Sequence, residues 1–227
     1  MRKVFAYVKN ESQRLPSKNF LNLGDKPLWQ WLINRLHKFD VYVNTDSQLL
    51  FDELSRYPYV TPIWRNQVHI EWEKNADKLG SPASDMVREF VENYLTDNQN
   101  FAVVHVTSPF LLSETLEQAF EEFERQECHS LHSVVEIKDC LMLENDEGVK
   151  PLNFSFDKIS RTQDLESVYQ SNGAFFIMNS RKLKECGYRR LTANSRLFPI
   201  GPIEAIEIDT AADFEKASFV AKFYEEI

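Results

Sequence analysis

Short apolar runs separated by amphipathic segments restrict this chain to few architectures. The runs "VFAYV", "DVYVNT", "VTPIW", "FAVVHV" and "GAFFIM" have strand length and are rich in β-branched and aromatic residues. Between them, "PLWQWLINRLHK", "SQLLFDELSRY", "SDMVREFVENYL" and "SETLEQAFEEFERQ" carry apolar residues at helical spacing. Strands that are apolar on both faces need cover on both faces, which crossover helices supply, so the pattern predicts an α/β fold with a mostly parallel sheet flanked by helices. Pro27 is placed to start the first helix, Ser113 to cap the helix that follows "FAVVHV", and "TAAD" from Thr210 to open the last helix with a capping box. "IEAIEID" reads as a final strand before it. The rhythm breaks from about residue 130 to 172, where "SLHSVVEIK" and "LMLEN", with a turn at "NDEG", predict a small β-rich insertion projecting from the sheet.

With 227 residues, of which 43% are hydrophobic, the chain can bury one sizeable core, so residues 1–227 are expected to form a single domain carrying that insertion. The N-terminal apolar run is five residues long, too short for a secretory signal, and nowhere do eighteen apolar residues run together. A cytoplasmic protein without membrane contact is the expectation. Cys128, Cys140 and Cys186 are odd in number and widely spaced, which supports neither a disulfide framework nor a zinc site and predicts reduced, buried or half-buried thiols.

The charge is distributed unevenly. Formal net charge is −9, yet the segment from Arg2 to Lys38 holds eight Lys or Arg against two acids. A local basic pole on an acidic chain suits a small, highly charged anion and argues against nucleic acid or an anionic membrane, which favour broad basic faces. Lys9, Arg14 and Lys18 are concentrated in "KNESQRLPSKN", directly after the first strand, at the carboxyl end where open α/β sheets bind ligands. The first glycine is Gly24, so no glycine-rich phosphate cradle precedes it and side chains must do the work. Ser12 offers a hydroxyl and Asn19 both a donor and an acceptor. A solvated basic loop is the alternative reading. In "IEAIEIDT", strand alternation would put Glu207 and Asp209 on one face, as a magnesium site or as two solvated acids.

Five segments in order resemble the acylneuraminate cytidylyltransferase family: "AYVKNESQRLPSKN" with "GDKPLWQW", then "VNTDS", "HVTSPF", "RTQDLESVYQSNGAFFI" and "IEIDTAADFEKA". The resemblance spans nearly the whole chain. It implies a nucleotide-diphospho-sugar transferase-like fold and transfer of CMP from CTP to a 2-keto sugar acid, with release of pyrophosphate. "TSPF" leans towards nine-carbon acceptors such as sialic, legionaminic or pseudaminic acid. The anion at the basic loop would then be the CTP triphosphate, with Mg²⁺ as cofactor on Glu207 and Asp209.

By the same resemblance, Lys9, Arg14, Lys18 and Asp209 would be catalytic. The nucleotide would meet Lys9, Ser12, Arg14, Lys18 and Asn19, together with Arg65, Ser81 and Ser84. The acceptor would meet His105, Ser108, Arg161, Gln163, Tyr169 and Asn172, with Arg161 forming a fork on its carboxylate or standing as an exposed insertion arginine. Three positions depart from the family pattern: Lys9 stands for Arg, Glu207 for Asp, and His105 for Gln. The last leaves open a different acceptor or a hydrogen-bonded core histidine. These departures also leave open a catalytically impaired nucleotide-binding or regulatory module of the same fold, or a cytidylyltransferase for a non-sialic acceptor. In relatives of this kind the insertion reaches a second subunit, which implies a homodimer that covers Val134, Val135, Ile137, Leu141 and Leu143. Folding back onto the chain's own sheet is the alternative.

Overall fold

The computed structural model describes residues 1–75, 82–158 and 161–224. Its strands are β1 (Lys3–Val8), β2 (Asn22–Leu23), β3 (Lys26–Pro27), β4 (Asp40–Thr45), β5 (Val60–Trp64), β6 (Asn100–Val104), β7 (Ser130–Ile137), β8 (Met142–Asn145), β9 (Gly148–Pro151), β10 (Val168–Asn179) and β11 (Arg196–Pro199). The helices are α1 (Leu28–Arg35), α2 (Gln48–Leu54), α3 (Gln67–Lys74), α4 (Ala83–Tyr94), α5 (Ser113–Arg125), α6 (Ser180–Glu185) and α7 (Ala211–Tyr224). Seven strands form one sheet in the order β11-β7-β10-β6-β1-β4-β5. All neighbours in it are parallel except β10, which runs antiparallel to both β6 and β7.

The two-sided apolar runs are buried as their composition requires. Val4, Ala6 and Val8 of β1 pack with Leu32 of α1, Leu50 of α2 and Phe120 of α5 on one face. Phe5 points the other way and stacks on Phe90 of α4 with ring centroids 4.5 Å apart. A third cluster joins Leu28 and Trp31 of α1 to Ile208 and to Ala217 and Ala221 of α7. That cluster fixes the chain immediately beside Glu207 and Asp209.

Several local expectations give way to competing hydrogen bonds. "IEAIEID" is not a strand: it turns, with Ala205 N bonded to Gly201 O at 3.0 Å, and then runs extended outside the sheet. Its backbone groups are taken elsewhere, Ile208 N by Thr107 O at 2.8 Å and Ile208 O by the Lys18 ammonium at 2.6 Å. Ser113 does not cap α5; Leu112 occupies that position, its N–H donates to Glu204 Oε1 at 2.9 Å, and the Ser113 hydroxyl donates to Arg35 O. Within the 130–172 segment, Ser130–Val134 of β7 are buried in the main sheet, with Val134 only 2% exposed. What projects is the β8–β9 hairpin, where Met142, Leu143 and Val149 are exposed. Helix α3 and strand β11 were not expected; α3 buries only His69, so it has no apolar stripe to announce it. The three cysteines are free, with Cys128 buried, Cys186 half-buried and Cys140, contrary to expectation, exposed.

The capping box on α7 forms as expected. Asp213 N donates to Thr210 Oγ1 at 3.3 Å and Thr210 N donates to Asp213 Oδ2 at 3.0 Å. The Thr210 hydroxyl bond holds the Asp213 carboxyl below its ordinary pKa, so its contribution is complete above the unfolded-chain value and is lost as pH falls through the lower folded one. Thr210→Ala is therefore expected to lower stability in urea unfolding by about 1 kcal/mol near neutrality. The difference from wild type should shrink on acidification through the range below the ordinary carboxylate pKa.

Candidate active site

The loop after β1 folds back across the carboxyl ends of β1 and β4. Asn19 Nδ2 donates to Lys9 O at 2.9 Å, closing residues 9–19 on themselves, and Asn10 N donates to Asp46 Oδ1 at 2.8 Å. Ser17 adopts a left-handed backbone at φ 51° to turn the chain into the short helix Lys18–Phe20. Each loop cation meets an acid. The Lys9 ammonium lies 3.5 Å from Glu73, while Arg14 and Lys18 share one oxygen of Asp209 at 2.8 and 2.9 Å.

Two cavities meet at Lys9 and Ser12. One, of about 490 Å³, lies between the loop, Asp46 and Glu73 of α3. The other, of about 190 Å³, is bounded by Tyr7, Arg14, Lys18, His105, Glu207 and Asp209. Polar atoms at and around the loop are left over: Ser12 Oγ and Asn19 Oδ1 are buried without a hydrogen-bond partner, as are Ser108 Oγ and Asn172 Nδ2. Unsatisfied buried polar groups are costly, and their concentration here fits a site completed by ligand or water.

His105 sits where the sheet ends, its Nε2 2.9 Å from the Tyr7 hydroxyl and its Nδ1 3.8 Å from Glu207 Oε1. Gly173 makes room for this pair. It has φ +71°, and a Cβ there would stand 3.3 Å from both His105 Nδ1 and Glu207 Oε2. Asn172, before it, is anchored by its Oδ1, which accepts from Ser133 Oγ at 2.6 Å and from Ala174 N at 3.1 Å. Burial raises the Tyr7 phenol pKa, opposed by the nearby Arg190 charge.

The structure thus brings together Lys9, Ser12, Arg14, Lys18, Asn19, His105, Glu207 and Asp209, with Asn172 adjoining through Gly173. Glu207 and Asp209 share the cavity although they are not on a strand. Their donor set, two carboxylates on an open cavity, suits a hard divalent cation that keeps water or phosphate in its remaining positions. Ser108 is fully buried beneath the site. Arg65 lines neither of these cavities: its fully buried side chain donates to Asn44 Oδ1 at 2.8 Å and Glu73 Oε2 at 2.9 Å. It braces an acidic residue that lines the larger cavity. Ser84 is exposed on α4 and lines neither cavity, and Ser81 falls outside the described residues. Arg161, Gln163 and Tyr169 are exposed on the insertion and also line neither cavity; Arg161 pairs with Asp164 at 2.7 Å. Sequence reasoning missed Tyr7, Asp46 and Glu73. Tyr7 lay inside a quoted motif, whereas Glu73 belongs to the unannounced α3.

The two cations on Asp209 differ in environment, which sets unequal costs. Lys18 is 8% exposed, so its ammonium depends on Asp209 and the Ile208 carbonyl, while the Arg14 side chain is 67% exposed. Lys18→Ala should lose about 1.5–3 kcal/mol in urea unfolding, as for hydrogen bonds to charged groups. Arg14→Ala should lose under about 1 kcal/mol, as for surface pairs. Equal losses would contradict this division.

Comparison with known proteins identifies the family and the fold. Residues 9–217 match the family described as Cytidylyltransferase. The N-acylneuraminate cytidylyltransferase of Streptococcus agalactiae serotype V is 29% identical over 217 residues, covering 91% of this chain and 50% of that protein. The chain therefore spans about half the length of that relative. The pseudaminic acid cytidylyltransferase of Campylobacter jejuni serotype O:2 is 26% identical over 226 residues, covering 95% of this chain and 94% of that one. Among solved structures, CMP:2-keto-3-deoxy-manno-octonic acid synthetase complexed with CTP superposes with a TM-score of 0.64 at 16% identity, covering both chains fully. The 4-diphosphocytidyl-2C-methyl-D-erythritol synthase of Anaerococcus prevotii gives 0.64 at 10% identity over 97% of this chain and 99% of that one. These two share the fold. With the family matched from the basic loop through the carboxylate pair and into α7, the chain belongs to the cytidylyltransferase family.

Proposed function

We propose that the chain transfers CMP from CTP to the anomeric hydroxyl of a nine-carbon 2-keto sugar acid of the sialic, legionaminic or pseudaminic type, releasing pyrophosphate. The observation that carries this reading is the cavity in which Lys9, Arg14 and Lys18 face Glu207 and Asp209. The names of the Streptococcus and Campylobacter relatives support the acceptor class. In the reaction the acceptor oxygen forms a bond to the α-phosphorus, the bond from that phosphorus to the β-phosphate oxygen breaks, and the hydroxyl proton is released. Lys9, Arg14 and Lys18 neutralise the triphosphate and the charge growing on the leaving group, which is where positioning and electrostatics matter most. Mg²⁺ held by Glu207 and Asp209 would add charge neutralisation on the phosphates. Ser12 and Asn19 direct their unsatisfied atoms to the nucleotide. His105, fixed by Tyr7, orients the acceptor beside Glu207.

Pyrophosphate release is the test, with CTP, Mg²⁺ and a panel of N-acetylneuraminic, legionaminic, pseudaminic and 3-deoxy-manno-octulosonic acids. Turnover of a nine-carbon acid with CTP, and not with UTP or ATP, is expected; turnover of the octulosonic acid alone would reassign the acceptor. A CTP-selective rise in Tm with no turnover of any acid would leave a non-catalytic nucleotide-binding module. Asp209→Asn should reduce kcat by about 100-fold or more, the scale of losing one electrostatic stabiliser.

The assembly belongs to the same reading. Arg161, Gln163 and Tyr169 carry groups suited to a sugar acid yet line neither of the two cavities described above, and the hairpin beside them exposes Met142, Leu143 and Val149. A second copy of the chain, related by a two-fold axis, would cover that face and receive those side chains at its acceptor site. Mixed dimers of Arg161→Ala with Asp209→Asn chains should then recover part of the turnover that each homodimer lacks. A monomer in light scattering at micromolar concentration would rule the arrangement out.

A further inference from the structure

Arg190 belongs to none of the motifs that point to the site, yet it stands close to Tyr7, which lines the smaller cavity. It lies in the loop between α6 and β11, and its carbonyl accepts from Ser130 Oγ at 2.7 Å and from His132 Nε2 at 3.1 Å. Both partners are buried residues of β7. Burial lowers the His132 pKa, which keeps its ring neutral and removes a competing positive charge from beside the guanidinium. The backbone of Arg190 is thus tied to a central part of the sheet. Its side chain extends over the ring of Phe176, with the guanidinium carbon 5.1 Å from the ring centroid. Phe176 in turn meets the His105 ring edge-on at 5.7 Å. The guanidinium also lies close enough to the Tyr7 hydroxyl to oppose the effect of burial on that phenol.

Arg190 does not itself line either cavity, and its lack of a charge partner separates it from the cations discussed above. Lys9 and Arg65 face Glu73, Arg14 and Lys18 face Asp209, and Arg161 faces Asp164. Among the described residues, no carboxylate stands within ion-pair distance of Arg190. A guanidinium whose carbon rests over an aromatic ring and that lacks a carboxylate partner keeps N–H donors free, and its fork matches a planar carboxylate in two parallel hydrogen bonds. Its place along the site favours a carboxylate over a phosphate. The loop cations touch Asp209 directly, whereas Arg190 is reached from Glu207 through His105 and then Tyr7.

We propose that Arg190 is a substrate-binding residue that takes the carboxylate of the acceptor within the same subunit, next to Tyr7 and His105. This rests on the sugar-acid reading above. It assigns the carboxylate fork to Arg190 and leaves Arg161 for other groups of the acceptor.

The test separates a carboxylate contact from a prop under Tyr7. N-acetylneuraminic acid, pseudaminic acid and their methyl esters are titrated calorimetrically into protein saturated with CTP in the absence of divalent metal, so that no transfer occurs. Wild type should bind the acid in preference to its ester. In Arg190→Ala the acid should bind about 10- to 100-fold more weakly, with the preference gone and CTP affinity and Tm unchanged. Arg190→Lys should recover part of the affinity, and Arg161→Ala should retain the acid-over-ester preference. Retention of that preference by Arg190→Ala, its loss in Arg161→Ala, or its absence from wild type would overturn the assignment. Pyrophosphate release, measured in parallel, keeps the two readings distinct. Acid-selective binding that depends on Arg190 without any release would sink the transfer reading and leave the Arg190 contact standing.

Discussion

One buried ammonium joins the two halves of the site. Lys18 donates to Ile208 O at 2.6 Å and to Asp209 Oδ1 at 2.9 Å, across 190 residues of chain. A cation removed from water needs such partners, because an unpaired buried charge costs far more than the pair gains. The bond therefore does more than position Lys18. It holds the backbone of residues 208–209 outside the sheet beside the basic loop, and leaves the side chains of Glu207 and Asp209 on the cavity. Ile208 completes the arrangement from the other side by packing with α1 and α7.

Around that tie the site is balanced in charge. Asp209 answers Arg14 and Lys18, and Glu73 answers both Lys9 and the buried Arg65. A polyphosphate approaching this loop competes with acids for the same cations, and a divalent cation approaching Glu207 and Asp209 competes with cations for the same acids. Bound together, the two exchange one set of pairs for another without stranding a charge. On the proposed function, that exchange would favour a metal–nucleotide complex over either component alone, for reasons of Coulombic balance in a partly desolvated space.

The regular part of the fold was legible in the sequence. The central strands β1, β4 and β6 and the helices packed on them announced themselves by period, because burying both faces of a parallel sheet leaves little freedom of composition. The basic loop, the paired carboxylates and the capping box at Thr210 were legible for the same local reason: each needs particular side chains at short, fixed spacing. Helix α3 was not, since it buries only His69 and its place is set by Glu73 reaching Arg65 and Lys9.

The sequence by itself thus determined the class of fold, the location of the basic loop at the carboxyl ends of the strands and the identity of the two carboxylates that share its cavity. Only the tertiary structure decided how they meet. It turned a strand-like stretch into a loop by giving its carbonyl to Lys18, and placed Arg65 behind the site as a brace. It left Arg161 outside the two cavities at the loop and set Arg190 against Tyr7 and Phe176. The Lys18 bond joins residues 190 apart, and where a side chain such as Arg65, Arg161 or Arg190 comes to rest depends on how distant elements pack. Neither has a period or spacing by which a linear sequence could display it.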